Sequence, residues 1–342
     1  MDAVIIAGGE GTRLKSVTGD TPKPMALLCG KPILEHILLL LKQNGITNVC
    51  IALRYRPEVI SSYFGNGKAL GMNIRYSIEN HPLGTAGAVK ACLTHGTSDS
   101  FMVISGDCAC DFDLRRLIAA HMVRQNAVTM ALYPCDTPLR YGTVLADGCG
   151  RVLSFTEKPS WSRVVSDLVN TGIYIIDKAI MSLVPDGKAF DFAKDLFPML
   201  MAKGYGIGAS VMSGYWCDIG TPREYHRCNL DALDGKLALT APLPRYAPMQ
   251  PEEEHTQGIW REIPCRDRAK LMRCMSQALM EAGADFSNGI NLSQNGESIH
   301  IFPAENASSI HINICSSDLV SSETTAQIYE NLAQKLASEQ QA

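Results

Sequence analysis

The opening segment, residues 3–14, constrains the fold more than any other part of this 342-residue chain. It reads AVIIAGGEGTRL, an apolar run that predicts a buried strand and ends at Gly8, Gly9 and Gly11. A loop without side chains lets backbone N–H groups approach an anion closely. The segment therefore predicts a first strand followed by an anion-binding loop.

Two cations follow these glycines, Arg13 directly and Lys23 within Pro22-Lys23-Pro24. Arginine offers a planar fork to phosphate oxygens and lysine a compact point charge, so together they suit a chain of phosphates. The simpler alternative is a tight turn, because the glycine spacing matches neither the P-loop nor the dinucleotide fingerprint. The presence of both cations favours the phosphate site.

Helical and strand patterns alternate through the next ninety residues. The predicted helices cover residues 33–42, 58–64 and 85–93, and the predicted strands cover residues 49–53, 73–77 and 101–104. Strands separated by helices favour a Rossmann-like, three-layer α/β fold with a mostly parallel sheet. Ligands of such folds bind beyond the carboxyl ends of the strands.

Two carboxylates are placed at predicted strand ends. Asp107 follows the strand at 101–104, and Asp218 ends an aromatic strand that begins near Gly214. Asp218 has a plainer interpretation as the start of a turn, and Asp111 or Asp113 is expected to cap the helix that follows. Asp107 is expected on the ligand-facing edge of the sheet.

In this order the motifs resemble those of the sugar-1-phosphate nucleotidyltransferases, which open with Gly-Gly-x-Gly-Thr-Arg-Leu followed by Pro-Lys-Pro. The resemblance spans residues 1 to about 236 and implies a GT-A-like, mixed but mostly parallel sheet. It also implies a reaction in which a sugar 1-phosphate and a nucleoside triphosphate give a nucleotide sugar and pyrophosphate. Residues 157–161 and 215–222 look most like bacterial mannose-1-phosphate guanylyltransferases, especially those fused to a phosphomannomutase-like region.

The resemblance implies roles for individual residues. The catalytic groups would be Arg13, Lys23, Asp107, Lys158 and Asp218. The nucleotide-binding residues would be Ala7, Gly8, Gly9, Gly11, Thr12, Arg13, Glu79, Pro82, Gly84, Thr85 and Asp107. The sugar-phosphate-binding residues would be Tyr141, Gly142, Glu157, Lys158, Asn170 and Thr171. Asp107 and Asp218 would bind Mg²⁺, a hard cation that prefers oxygen ligands. Without the resemblance, Glu157-Lys158 reads as a surface ion pair and Asn170-Thr171 as a strand start.

Glu79 lies where these enzymes recognise the base, and a carboxylate only accepts hydrogen bonds. Among the common bases, guanine alone presents two adjacent donors, so the sequence favours GTP and, with mannose 1-phosphate, the product GDP-mannose. A heptose or glucose 1-phosphate, or UTP or dTTP, is the alternative within the same reaction. A non-catalytic, nucleotide-sugar-binding regulatory subunit is the alternative of another class, and the presence of Arg13, Lys23 and both aspartates favours an enzyme.

The amino-acid composition limits which binding partners are expected. The formal net charge is −4, and no basic field is present to attract nucleic acid or an anionic membrane. The twelve cysteines contain no Cys-x-x-Cys pair, which argues against zinc. The start reads as a core strand rather than a leader, and no apolar run approaches the ~18 residues of a membrane span, so a cytosolic protein with reduced thiols is expected.

The rest of the chain predicts a second domain. Residues 1–236 form the predicted catalytic domain, residues 237–258 a Pro/Glu-rich linker, and residues 259–342 a small α+β domain with an antiparallel sheet. The last part resembles the C-terminal domain of the α-D-phosphohexomutases, but residues 302–308 lack the arginine of the mutase phosphate loop. We expect no mutase activity and a packing, dimerisation or regulatory role, with a homodimer implied by the family. His300 and His311 are expected on the solvent face.

Overall fold

The computed structural model describes residues 1–160, 162, 164, 166–240, 257–265, 268–285, 290–294, 296–303, 309–316 and 319–339. It divides into two compact units, Met1–Ala26 with Pro32–Pro222, and Leu27–Lys31 with Arg223–Ala342. Three parts of the sequence predictions lie outside the described residues: most of the predicted linker (residues 241–256), Trp161, and residues 304–308 of the segment compared with the mutase phosphate loop. The domain boundaries read from the sequence stay a prediction.

The first unit alternates strands and helices as the sequence predicted. Its strands are β1 (Ala3–Ile6), β2 (Asn48–Leu53), β3 (Asn73–Ile78), β4 (Ser100–Ser105), β5 (Cys108–Cys110), β6 (Val128–Pro134), β7 (Thr143–Ala146), β8 (Val152–Thr156), β9 (Leu168–Asp177), β10 (Ile207–Val211) and β11 (Trp216–Asp218). Its helices are α1 (Lys15–Thr18), α2 (Ile33–Gln43), α3 (Pro57–Phe64), α4 (Gly84–Cys92), α5 (Leu114–Arg124) and α6 (Phe197–Ala202).

Nine of these strands form one mixed, mostly parallel sheet, which confirms the predicted fold class. The order β3-β2-β1-β4 is parallel throughout, and β10 runs parallel to β6. The long strand β9 joins the two parts because it pairs antiparallel with β4, β6 and β7. Strands β1, β2 and β4 are buried almost throughout, as expected for parallel strands covered by helices on both faces.

The carboxyl ends of β1 and β4 meet at one edge of this sheet. Ile6 is paired with Ser105, and the N–H of Gly106 donates to the carbonyl of Ile6 at 2.8 Å. A Cβ on Gly106 would lie 2.9 Å from that same carbonyl oxygen, so this crossing admits only glycine. The glycine loop that follows β1 and Asp107 after β4 are therefore held side by side.

The second unit is a four-stranded antiparallel sheet with helices. Its strands, in the order β12-β15-β14-β13, are β12 (Gln257–Pro264), β13 (Ile290–Gln294), β14 (Glu297–Pro303) and β15 (Ser309–Ser316). Its helices are α7 (Pro222–Leu233), α8 (Arg268–Leu279) and α9 (Leu319–Glu339). Buried isoleucines of the sheet pack with α8 and α9 in one core.

Strand β12 begins at Gln257, in the last two residues of the linker predicted over 237–258, and that boundary stays a prediction. The Arg261 guanidinium of this strand pairs with Glu323 and Glu330 of α9.

One expectation for this unit was wrong. His300 is buried rather than on the solvent face, and its ring packs on Phe302 with centroids 4.7 Å apart.

Across the described ranges, no helix combines the length and apolar character needed to cross a bilayer.

Candidate active site

The loop after β1 packs closely on Lys23. Gly11 has φ +65°, a conformation that favours glycine, and a Cβ there would lie 2.6 Å from Cβ of Lys23. Gly9 has open space around its α-carbon. The loop thus keeps one glycine for close approach to Lys23 and leaves backbone exposed at another.

Lys23 lies between the two predicted metal-binding carboxylates. Its Nζ is 2.6 Å from Oδ2 of Asp107 and 3.6 Å from Oδ1 of Asp218, and only 6% of the residue is exposed. Strand pairing explains this meeting, since β11 places Asp218 opposite Cys108, the residue after Asp107. Ser105 fixes the other Asp107 oxygen by donating from Oγ to Oδ1 at 2.6 Å.

Lys23 and Asp107, the closest pair, are both charged near neutral pH. Burial alone would lower the pKa of Lys23, but attraction to Asp107 and Asp218 outweighs burial and raises it. Burial alone would raise the pKa of Asp107, but the Lys23 charge and the hydrogen bonds from Lys23 and Ser105 lower it. Two carboxylates therefore face one buried ammonium.

The carboxylate pair fits a divalent cation. Oxygens of Asp107 and Asp218 lie 2.6 and 3.6 Å from Lys23 Nζ, so the two carboxylates are neighbours, as two ligands of one cation must be. Carboxylate oxygens are the ligands that Mg²⁺ prefers, usually with waters and substrate phosphates completing the octahedron. Within the described residues no cluster of three or more His, Cys, Asp or Glu side chains forms a metal cage.

Two clefts of about 320 and 260 Å³ share Ile6, Arg13 and Asp107. The predicted site residues that line the larger cleft are Arg13, Thr85, Asp107, Tyr141, Gly142, Glu157, Lys158, Asn170, Thr171 and Asp218. Those that line the smaller cleft are Ala7, Gly9, Gly11, Thr12, Arg13, Lys23 and Asp107. Within the described part of the chain, Arg13 makes no ion pair. The structure thus brings together every predicted catalytic residue.

A bulge in β9 positions two residues of the larger cleft. The pairing register shifts between Asn170 and Tyr174, where Gly172 has φ +78°. Asn170 donates from Nδ2 to the Tyr174 hydroxyl at 2.8 Å and accepts from the Gly172 N–H. Thr171 donates its hydroxyl to the carbonyl of Ala131 at 2.8 Å, so this hydrogen is already used within the sheet.

Glu157 and Lys158 both line the larger cleft. Lys158 has φ +43°, an uncommon conformation for a residue with a side chain, and its N–H donates to the Tyr141 carbonyl at 3.1 Å. Burial raises the pKa of Glu157, and the neighbouring Lys158 charge only partly offsets it.

Four predicted nucleotide-binding residues, Gly8, Glu79, Pro82 and Gly84, line neither cleft. Glu79 borders the glycine loop, because a Cβ on Gly8 would lie 3.4 Å from its Oε1. Its Oε2 accepts from the Leu83 N–H at 3.1 Å. Gly84 has φ +68° and lies against the Phe190 backbone, which gives it a structural reason to be glycine.

Sequence reasoning missed Arg140, Asp191 and Trp216, which also line the larger cleft. Trp216 belongs to the aromatic strand and to the segment 215–222 but was given no role, and its ring meets that of Tyr141 edge-on with centroids 5.2 Å apart. Asp191 belongs to no motif, and only its contact with Thr85 in the folded chain reveals its place.

Residues 2–235 match the protein family described as nucleotidyl transferase. A mannose-1-phosphate guanylyltransferase of Mycobacterium tuberculosis is 35% identical over 69% of this chain and 65% of its own. A UTP–glucose-1-phosphate uridylyltransferase of Synechocystis is 34% identical over 66% and 61%. The chain thus spans less than two thirds of the length of these two relatives.

Another relative, a D-glycero-α-D-manno-heptose 1-phosphate guanylyltransferase of Aneurinibacillus thermoaerophilus, is 38% identical over 66% of this chain and 96% of its own. The crystal structure of HddC from Yersinia pseudotuberculosis complexed with GMP-PN superposes with a TM-score of 0.58. It is 33% identical and covers 67% of this chain and 97% of its own. Because the family match extends over residues 2–235, well over half of its length, this chain belongs to the nucleotidyl transferase family.

Proposed function

We propose that this protein joins GTP and mannose 1-phosphate into GDP-mannose and releases pyrophosphate. The observation that carries the proposal is the contact of Lys23 with both Asp107 and Asp218 at the junction of two clefts. One cleft is lined by the glycine loop and the other by Lys158 and Asn170. Such a junction suits a reaction between two phosphorylated substrates.

In the proposed reaction the glycine loop and Arg13 bind the phosphates that leave, and Lys158 binds the sugar phosphate. An oxygen of the sugar phosphate attacks the α-phosphorus of GTP, one P–O bond forms, and the bond to the β-phosphate oxygen breaks. The attacking oxygen is already anionic, so no general base is required. Lys23 neutralises charge at the α-phosphate, and positioning with charge neutralisation supplies most of the rate enhancement.

Asp107 and Asp218 are the residues that would bind Mg²⁺, the expected cofactor. When bound, the ion would neutralise negative charge on phosphate oxygens.

The choice of GTP rests on Glu79, and the two guanylyltransferase relatives support it. UTP is the alternative nucleotide because one relative is a uridylyltransferase, and a heptose 1-phosphate is the alternative sugar because another is a heptose 1-phosphate guanylyltransferase. Glucose 1-phosphate and dTTP complete the set to be tested.

Pyrophosphate release measured with each pairing of GTP, UTP and dTTP with mannose, glucose and heptose 1-phosphates tests the proposal. Fastest release with GTP and mannose 1-phosphate supports it, and a clear preference for UTP or dTTP removes the guanine assignment. Binding of nucleotide sugars without pyrophosphate release from any pairing would favour the regulatory alternative.

Replacing Glu79 with glutamine should lower kcat/KM for GTP by about 10- to 100-fold, the effect of losing a hydrogen bond to a charged group. The amide offers one acceptor where guanine presents two donors. Kinetics with GTP and UTP would measure the change in discrimination. Glu58→Gln, at an exposed residue of α3, is the matched control, and an unchanged GTP/UTP ratio in the Glu79 variant would contradict the assignment.

Glu157 should make sugar binding sensitive to acid. Because its pKa is raised, it becomes protonated at a higher pH than an ordinary glutamate, and the neutral acid accepts fewer hydrogen bonds. KM for the sugar 1-phosphate should therefore rise as pH falls through this raised pKa, while KM for GTP changes less. The phosphate of the substrate also titrates, so Glu157→Gln is the control. If the variant shows the same rise in KM, Glu157 is not its source.

We extend the proposal to the location, the assembly and the second unit of the protein. We expect a cytosolic location, a homodimer, and a packing, dimerisation or regulatory role for the second unit without mutase activity. Sedimentation of the full chain would test the dimer, since a single monomeric species contradicts it.

A further inference from the structure

Asp191 is a carboxylate in the larger cleft that no sequence motif assigns. It lines this cleft together with Glu157, Asn170 and Lys158, in the half of the site where the sugar phosphate is proposed to bind. It directly precedes a π-helical turn, Phe192–Leu196.

Thr85 fixes this carboxylate. Its Oγ1 donates to Oδ1 of Asp191 at 3.2 Å and accepts from the Phe192 N–H at 2.9 Å. The N–H of Asp191 in turn donates to Oδ2 of Asp195 at 2.7 Å. Backbone and side chain of Asp191 are therefore both held, and its Oδ2 takes no hydrogen bond from the described residues. Thr85, expected from the family resemblance to bind nucleotide, uses its hydroxyl here.

Asp191 and Glu157 share one space. Burial is the main cause of the raised pKa of Glu157, and the charge of Asp191 adds to it. Ionised carboxylates accept hydrogen bonds and donate none. A ligand group placed between them must therefore supply donors, as the hydroxyls of a neutral pyranose do. The cations of the same cleft, Arg13, Arg140 and Lys158, suit a phosphate, whereas a carboxylate beside Asp191 would be repelled.

We propose that Asp191 is a specificity-determining residue that accepts a hydrogen bond from a ring hydroxyl of the sugar 1-phosphate. Thr85 is its positioning residue. With Glu157, Asp191 selects neutral, hydroxyl-bearing sugar 1-phosphates over uronic acid 1-phosphates. This inference rests on the proposed function and adds the substrate class that the cleft accepts.

The test compares Asp191→Asn and Asp191→Ala with wild type, measuring KM for each substrate separately and the use of mannuronic or glucuronic acid 1-phosphate. Both variants should raise KM for the neutral sugar 1-phosphate about 10-fold or more, with KM for GTP within about twofold. Both should also increase the use of the uronic acid substrate relative to the neutral one. Asp136→Asn, at an exposed residue outside the clefts, is the matched control.

Variants of Thr85 distinguish a loss of Asp191 positioning from a general loss of structure. Thr85→Val should shift sugar KM and sugar selectivity in the same direction as Asp191→Asn, and Thr85→Ser, which keeps the hydroxyl, should restore both. Circular dichroism of each variant monitors folding.

The inference is overturned if Asp191→Asn leaves sugar KM unchanged, or if wild type uses uronic acid and neutral sugar 1-phosphates equally well. Wild-type turnover of GTP with mannose 1-phosphate tests the proposed function in the same assay. If another nucleotide and sugar 1-phosphate are preferred, the proposed substrates are wrong. The effect of the Asp191 variants on sugar KM and on the use of uronic acid relative to neutral sugars is then measured with the preferred substrates, and it still decides the inference.

Discussion

Replacing Asp107 with asparagine is expected to lower Mg²⁺-dependent pyrophosphate release by about 100-fold or more, the scale of losing a preorganised electrostatic group. The carboxylate accepts from Lys23 at 2.6 Å and from Ser105 at 2.6 Å. An amide in its place has one acceptor fewer: its NH2 would face either the Lys23 ammonium, which cannot accept, or the Ser105 hydroxyl, which would have to turn in order to accept. The variant also removes one of the two carboxylate charges of the proposed cation site. Initial rates across a Mg²⁺ titration would measure both effects.

Asp113→Asn is the matched control for this substitution. Asp113 accepts from the Arg115 N–H and caps α5, and asparagine caps helices equally well. The control should keep its activity. Near wild-type turnover by the Asp107 variant would refute the metal assignment.

Replacing Lys23 with methionine should have an effect of similar size. The side chain is buried against Asp107 and Asp218, so its removal leaves two carboxylates without their shared ammonium. About a third of each carboxylate is exposed in the clefts, so the loss of stability should be smaller than the ~3–5 kcal/mol of a fully buried ion pair. The Lys23 charge is also the main influence that lowers the pKa of Asp107 against burial, so that pKa should rise in the variant.

Three measurements check this prediction: turnover, thermal unfolding and the pH dependence of the rate. We expect a rate loss of about 100-fold or more, a lower melting temperature, and an acid limb displaced to higher pH. Lys68→Met, at an exposed lysine, controls for the loss of a surface charge. Full turnover in the Lys23 variant would show that the ammonium plays no part in the reaction.

The local parts of the fold were readable because each has a local cause. Apolar runs that stop at glycine or aspartate located the ends of β1 and β4, and the dense apolar stripe from Ile33 located α2. Asp113 caps α5 as expected of one of the two candidates, whereas Asp111 accepts from the Tyr215 N–H at 2.6 Å.

The pairing of distant segments was not readable without the family resemblance. Asp107 and Asp218 are separated by more than a hundred residues, and only the pairing of β5 with β11 explains why they meet. Asp191 depends on a contact with Thr85 that no spacing encodes. The family resemblance assigns only residues that lie in family motifs, and Asp191 lies in none, so its place in the cleft was not predicted.

The bulge in β9 carries a consequence for how this chain tolerates changes in length. Successive residues of a strand face opposite sides of the sheet, so a one-residue insertion or deletion reverses the facing of everything on one side of it. From Asn170 to Tyr174 the strand has two residues more than its partner has from Leu132 to Met130, so deleting Gly172 would leave one extra residue and turn Asn170 and Thr171 to the wrong sides. Gly172 also resists substitution because its φ is +78°, so both the number of residues between Asn170 and Tyr174 and the backbone conformation there are constrained.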